Sequence, residues 1–434
     1  MTESKLSTQP YKGTRDFYPD EMQQRRWMFD HLRQVIGSYG YQEYDGPMLE
    51  PFELYAAKTG DEIVNEQLYS FVDRGARKVA MRPEMTPTLA RMVAAKGQHL
   101  QKPLRWFSIP NLWRYERPQR GRLREHWQLN VDLLGVEGVE AEVEIIQVAI
   151  DMMRGFGASP VDFEIQINHR QLMNDVFEQV LKLDASQTKA VARAIDKRAK
   201  IAPEAFQTLL SEAGCSPEQI AELENFLASP LLEIGKICGE SKGYKDLIRF
   251  FDTVNALGLG PVCRFNTSIM RGLDYYTGIV FELFDKHPDN RRALFGGGRY
   301  DNLVGMFGQT QMPGVGFGMG DVTLMDFLKV HGLLPEVKSH VDILVGLFDA
   351  EMLVQNQQLA RHLRSAGFKV ESVLKHQKLG KQFELANKRG IPLVVLQGPD
   401  EALLEQVSVK DLRTGAQENV HMENLIDWLQ TQLA

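Results

Sequence analysis

The sequence predicts an α+β unit built on an antiparallel hairpin, interrupted by a block of helices and followed by a small α/β domain with a mostly parallel sheet. Three observations carry this. The stretch RWFSIPNLWRYERPQRGRLREHWQLNVDLLG, Arg105 to Gly135, sets two strand-like runs around a loop crowded with arginine. Helical periodicity fills Arg170 to Leu257 almost without a break, and strand character returns only at Cys263, so the block reads as an insertion. Beyond a proline-containing linker at 331–339, strands and helices alternate regularly, as they do over a parallel sheet.

The elements follow in order. After a polar turn, Lys12 to Asp16, the run Asp20 to Ser38 places Met22, Trp27, Phe29, Leu32, Val35 and Ile36 on a helix-like stripe. Tyr41 to Pro51 reads as extended, and its two prolines suit an edge or interface strand. Leu68 to Phe71 and Val79 to Met81 are short strands with a turn at Asp73 to Gly75. Thr86 is the expected N-cap of the next helix and Pro87 its first residue. An amphipathic helix, Glu140 to Phe156, and an alternating strand, Asp162 to Asn168, come after the hairpin. Residues 262–286 and 292–298 add strands, and Val315 to Leu328 passes from a glycine-rich strand into a helix. In the last part VDILVGLF, KVESVL and PLVVLQG are strands, while Met352 to Ala366, Lys378 to Arg389 and a segment from Glu423 are helices.

The hairpin carries the chemistry. Five arginines fall between Arg114 and Arg124, with Pro118 and Gly121 to turn the chain, so the loop repels itself unless an anion sits in it. Guanidinium forks match phosphate oxygens, which makes a nucleotide or a nucleic-acid end the functional reading; a solvated surface hairpin is the alternative. Trp127, Leu129, Val131 and Leu133 have the period of a half-buried strand. Arg114 with Glu116, and Gln128 with Asp132, recur at even offsets, so each strand aims a polar pair at one face.

Three further strings stand out. RGLDYYTG, 271–278, brings two tyrosines, an aspartate and an arginine together, for an internal hydrogen-bond network or a ligand with polar edges. GGGRYD, 296–301, lets backbone approach backbone or ligand, and its arginine could meet a phosphate or a carboxylate. It is neither a Walker loop nor GxGxxG. GVGFGMG, 314–320, alternates glycine through a strand, which weakens the strand unless something planar lies on it.

At 434 residues the chain exceeds one ordinary core. No apolar run reaches the roughly 18 residues that cross a bilayer, and the start lacks a signal-peptide layout, so the cytoplasm is the expected location. Cys215, Cys238 and Cys263 are widely spaced, as reduced structural thiols are, and no metal ligand set is evident. A net charge of −7 argues against coating nucleic acid through bulk charge and leaves room for local patches.

In this order, KGTRDFYP, RPEMTPTLAR, the hairpin, RGLDYYTGIVFE, GGGRYDNLVGMFG and GVGFGMG resemble the histidyl-tRNA synthetase family, the hairpin being similar to motif 2 of class II synthetases. The resemblance spans nearly the whole chain. It implies a class II catalytic domain, an antiparallel sheet flanked by helices, over 1–168 and 259–330. It also implies a helical insertion at 169–258, an α/β anticodon-binding domain at 340–434, and a homodimer held partly around Pro47. The implied reaction joins L-histidine to tRNA(His) through a histidyl-adenylate, with ATP as substrate and Mg²⁺ on its phosphates.

Residue roles follow from the same resemblance. Arg114 and Arg271 would be catalytic, holding the α-phosphate and the amino-acid carboxylate from two sides. Glu84, Met85, Thr86 and Gln128 would surround the histidine ammonium. Asp132 and Tyr276 would take the two imidazole nitrogens, and Tyr275 would wall the pocket. Glu116, Arg122 and His126 would join Arg114 at ATP, and Arg117 and Gln119 would meet the tRNA acceptor end. Two departures stand against the family pattern: Thr323 replaces the motif 3 arginine, and His126 replaces the phenylalanine that covers adenine, so a rearranged ATP site is expected. The competing functions are a regulatory subunit of ATP phosphoribosyltransferase, which does not aminoacylate, and a histidine-dependent RNA-binding or sensing paralogue.

Overall fold

The computed structural model describes residues 6–56, 66–97, 99–198, 201–270, 276–290, 292–308 and 311–433. Arg271 and Tyr275 lie outside the described residues, as does most of the RGLDYYTG string. The chain divides into two compact units, Met1–Leu334 and Pro335–Ala434, with the boundary inside the expected linker.

The first unit is organised by a nine-stranded sheet. From one edge, Gln42–Glu43, Leu104–Ser108, Glu125–Leu134, Gly314–Gly320, Ala293–Tyr300, Ile279–Asp285, Phe163–His169 and Cys263–Phe265 lie side by side. The pairings are antiparallel except the two outermost, which are parallel. Asn111–Trp113 extends the pairing of the long strand Glu125–Leu134. That strand repeats every two residues as the sequence suggests, but Leu129 to Leu134 is buried on both faces, because it is central rather than half-covered.

The two faces of the sheet differ in chemistry. Leu129, Val131, Leu133, Ile165, Ile167, Phe281, Phe295, Val315 and Phe317 form one core with the helices Pro19–Ser38 and Glu140–Gly155. The opposite face carries Gln128, Asn130 and Asp132, flanked in register by Gly320, Gly318 and Gly316. One side of the sheet therefore pays for folding through apolar burial, and the other is free to be polar.

The helices between Arg170 and Ala256 are consecutive, as their periodicity predicts. Their buried residues, Leu172, Val191, Phe206, Leu223 and Phe250 among them, belong to that same core. A small three-stranded sheet sets Leu49–Pro51 at its edge against Lys78–Met81 and Ser70–Val72. The helix after it spans Thr86–Lys96, so Thr86 is its first residue rather than its cap, and the cap position, Met85, makes no side-chain capping bond.

In the second unit Ile343–Gly346 pairs in parallel with Val370–Ser372 and Leu393–Leu396, as alternation predicts. The sheet is mixed rather than mostly parallel. An antiparallel hairpin, Gln406–Asp411 with Gln417–His421, completes its five strands. Among the described residues no helix is long and apolar enough to cross a membrane.

Candidate active site

The arginine-rich loop is braced from the N-terminal side. Gly13 O accepts the backbone N–H groups of Arg124 and Glu125, at 2.9 and 3.2 Å. Arg15 pairs with buried Asp321 at 2.7 Å, and Asp321 accepts Trp127 N–H at 3.0 Å. The polar turn at residues 12–16 is thus a clamp on the start of the long strand.

The loop's positive charge is partly absorbed by the protein itself. Arg120 pairs with Asp326 at 3.0 Å, while Arg124 donates to Tyr11 Oη at 2.8 Å and lies over the Tyr115 ring. Arg114 donates through Nε to Pro83 O at 2.9 Å, which ties the loop to the segment bearing Glu84. Arg122 faces Glu116 at 3.5 Å. These last two arginines line an open cleft together with Glu116, His126, Gln128 and Thr323. Arg117 and Gln119 are exposed on the loop and do not line it; Arg292 donates to the Gln119 side chain at 3.3 Å.

Asp132 is buried on the polar face, one side-chain repeat beyond Asn130 and two beyond Gln128. Tyr300 Oη donates to its Oδ1 at 2.5 Å, while Oδ2 is buried with no partner among the described residues. Burial pushes the carboxyl pKa up to about 7, and the Tyr300 bond opposes the rise. Tyr276 packs against the cluster containing Tyr300, with Tyr44 and Trp106 in the same neighbourhood. The Tyr44 hydroxyl and Ser108 Oγ are further buried polar groups close to one another. Tyr300, not singled out from the sequence, shares strand parity with Gly296 and Gly298, and that parity was the available signal.

The glycine strand makes space for these side chains. A Cβ at Gly316 would stand 2.3 Å from Asp132 Oδ1, and one at Gly318 would stand 2.9 Å from Gln128 Nε2. Asp132 and Gln128 take the room at Gly316 and beside Gly318, while Gly318 and Gly320 also line the open cleft. Arg299 of GGGRYD also serves the protein: it forms a two-pronged pair with buried Glu142, both contacts at 2.6 Å, and donates to Val136 O and Gly138 O.

His126 is held neutral. Burial, then the charges of Arg114 and Arg15, bring its pKa down to about 3. Thr323 Oγ1 lies 2.9 Å from Leu294 O and 3.0 Å from Gly320 O, so its hydroxyl is engaged by backbone. Glu84 is buried and Met85 fully so, with the Met85 sulfur beside Arg82; Thr86 is half-buried.

An antiparallel sheet with one helix-covered face, whose other face carries a long basic hairpin and a glycine strand running into a helix, is the catalytic architecture of class II aminoacyl-tRNA synthetases. Within that class the particular family is also clear. A family model described as histidyl-tRNA synthetase matches residues 13–322, and one described as anticodon binding domain matches 340–432. A histidine–tRNA ligase of Leptospira biflexa is 45% identical over 95% of both chains. The chain belongs to the histidyl-tRNA synthetase family.

Among solved structures, the histidyl-tRNA synthetase of Nostoc sp. PCC 7120 is 26% identical with a TM-score of 0.84, covering 99% of this chain and 100% of that one. A Bacillus halodurans C protein described as an ATP phosphoribosyltransferase regulatory subunit/histidyl-tRNA synthetase has a TM-score of 0.75. It is 22% identical, covering 91% of this chain and 99% of that one, and shows the shared fold alone.

Proposed function

We propose that this chain is a histidine–tRNA ligase that activates L-histidine with ATP and transfers it to tRNA(His). The observation that carries the reading is Asp132: a buried carboxylate with one oxygen fixed by Tyr300 and the other unmet among the described residues, on the same sheet face as Gln128 and Arg114's cleft. An imidazole N–H supplies the missing donor, and a side chain without one leaves the carboxylate stranded; such sites discriminate by about 10⁴ or more. The regulatory-subunit reading shares the fold but has no comparable support from sequence identity. Histidine-dependent ATP/pyrophosphate exchange followed by tRNA charging tests the proposal; no exchange returns the regulatory reading, and exchange without charging a paralogue.

In this scheme a histidine carboxylate oxygen attacks the α-phosphorus, the bond to the β-phosphate oxygen breaks, and pyrophosphate leaves. A ribose hydroxyl at the tRNA 3′ end then attacks the acyl carbon, the bond from that carbon to the phosphate oxygen breaks, and AMP leaves with the hydroxyl proton passing to its phosphate. Arg114 and Arg271 neutralise charge growing on the α-phosphate without exchanging a proton. Glu84, Met85, Thr86 and Gln128 set the ammonium, Tyr276 takes the second ring nitrogen beside Asp132, and Tyr275 closes the wall. Glu116, Arg122 and His126 hold ATP, while Arg117 and Gln119 meet the acceptor end.

No group of three or more His, Cys, Asp and Glu among the described residues is placed to hold an ion alone. The Mg²⁺ of this proposal arrives on the nucleotide phosphates, with Glu116 as the cleft carboxylate. A homodimer working in the cytoplasm completes the reading, and sedimentation of the purified protein checks the dimer.

Two measurements probe individual roles. Tyr300→Phe removes the hydrogen bond that holds the Asp132 pKa down, so the carboxylate form is reached only at higher pH. The acid limb of kcat/KM for histidine is expected to move upward relative to the parent; titration of free histidine is common to both proteins. An unmoved limb separates Asp132 from the ligand. At the phosphates, Arg122→Ala is expected to raise the KM for ATP about tenfold or more, as loss of a charged hydrogen bond does. Thr323→Arg in the parent should bring no gain, because Arg122 already supplies the cation; a clear gain in ATP affinity refutes that assignment.

A further inference from the structure

We propose that Arg120 and Asp326 are positioning residues of the nucleotide cleft: they dock the tip of the arginine hairpin on the helix Asp321–Val330 and so hold Arg122 at the ATP phosphates. This rests on the ligase reading and adds to it two side chains outside the cleft.

The tip is a two-residue turn. Gln119 and Arg122 exchange backbone N–H···O bonds in both directions, at 3.0 and 2.9 Å, so only Arg120 and Gly121 lie between them. Gly121 has a φ of 76°, as short hairpin turns require. A turn this tight has no slack, and any displacement of the tip carries Arg122 with it.

Three neighbours hold the tip down. The Arg120 fork meets both carboxylate oxygens of Asp326, Nε donating to Oδ2 at 3.0 Å and Nη2 to Oδ1 at 3.3 Å, while Nη1 reaches Asp289 O at 3.5 Å. Gly121 stands against Thr323, whose methyl would lie 3.5 Å from a Cβ at that glycine. On the other side Arg292 donates to the Gln119 side chain. The platform is itself fixed, because buried Asp285 accepts His287 N–H at 2.7 Å and Asn290 Nδ2 at 2.6 Å, on either side of Asp289.

Thr323 and the docked tip are two halves of one arrangement. The threonine hydroxyl is turned to Leu294 O and Gly320 O, which leaves its methyl for the glycine. A longer side chain at 323 would have to push the tip off the helix. Arg122 needs the support: its side chain is 57% exposed, and among the described residues its charge meets only Glu116, at 3.5 Å. Ordering so free an arginine on a phosphate costs entropy, and fixing its backbone beforehand removes part of that cost.

Equilibrium dialysis of the full chain with labelled ATP tests this, beside histidine-dependent pyrophosphate exchange. Arg120→Ala and Asp326→Asn are each expected to weaken ATP binding about threefold, the scale of an exposed ion pair. The KM for histidine and the melting profile should stay as in the parent. Arg120→Lys keeps the charge opposite Asp326 and should lie closer to the parent than Arg120→Ala. In a protein already carrying Arg122→Ala, adding Arg120→Ala should cost nothing more, because no cation is left for the tip to place. Additive losses would mean that Arg120 meets phosphate by itself, and they overturn the positioning role. Parent-like ATP affinity in both single variants overturns it too, as does an equal rise in the KM for histidine. In a parent that binds ATP without histidine-dependent exchange the ligase reading falls, while the same affinity series still decides the docking.

Discussion

Arg114→Ala is expected to slow histidyl-adenylate formation by about 10²–10³-fold, the usual loss when one preorganised donor to a transition-state charge is removed. The side chain is half-buried at the cleft wall, and its single described bond goes to a backbone carbonyl, Pro83 O, so the fold should persist. Rapid-quench measurement of adenylate under single-turnover conditions separates this from changes in product release. Arg114→Lys should fall between the two, since an ammonium keeps the charge and loses the planar fork. A rate within tenfold of the parent in the alanine protein, with an unchanged melting profile, would remove Arg114 from the chemistry.

Arg299→Leu is expected to lower the stability of the first unit by about 3–5 kcal/mol, the range for leaving a buried charge alone. Glu142 is 1% exposed and would lose both guanidinium contacts. Glu142→Gln should be milder, because Arg299 keeps Val136 O, Gly138 O and Asp301. The double replacement Glu142→Leu with Arg299→Leu should recover much of the loss, since no charge remains buried. Calorimetry of the full chain, following the transition of the larger unit, ranks the three. Equal losses in both single variants would show that the pair does not govern this part of the core.

The architecture was legible where local pattern and tertiary need agree. The hairpin declared itself through arginine density and period-two strands, and Gln128 and Asp132 could be placed on one face by counting alone. Arg299 could not be read this way: its partner Glu142 lies 157 positions away, on a helix whose periodicity says nothing about which carboxylate faces inward. Tyr300 has no local signal of its own either, since its partner Asp132 lies 168 positions away on another strand. In the second unit, Gln406–Asp411 is largely buried, but its hairpin partner Gln417–His421 is polar and mostly exposed, so the hairpin carries no paired apolar repeat in the sequence. Thr86 illustrates a smaller limit, since a residue suited to capping can begin the helix when proline follows it.

On the proposed role of Asp132 and Gln128 in binding histidine, Gly316 and Gly318 bear on any attempt to change the amino acid selected. The wall they form has no side chain that could be trimmed, so extra depth for a bulkier heterocycle has to be cut elsewhere, from Tyr300 or from the Tyr44 and Trp106 side. Adding even one methyl group at either glycine would instead collide with Asp132 or Gln128. Substitution on that wall can only crowd Asp132 or Gln128 and never make room beside them.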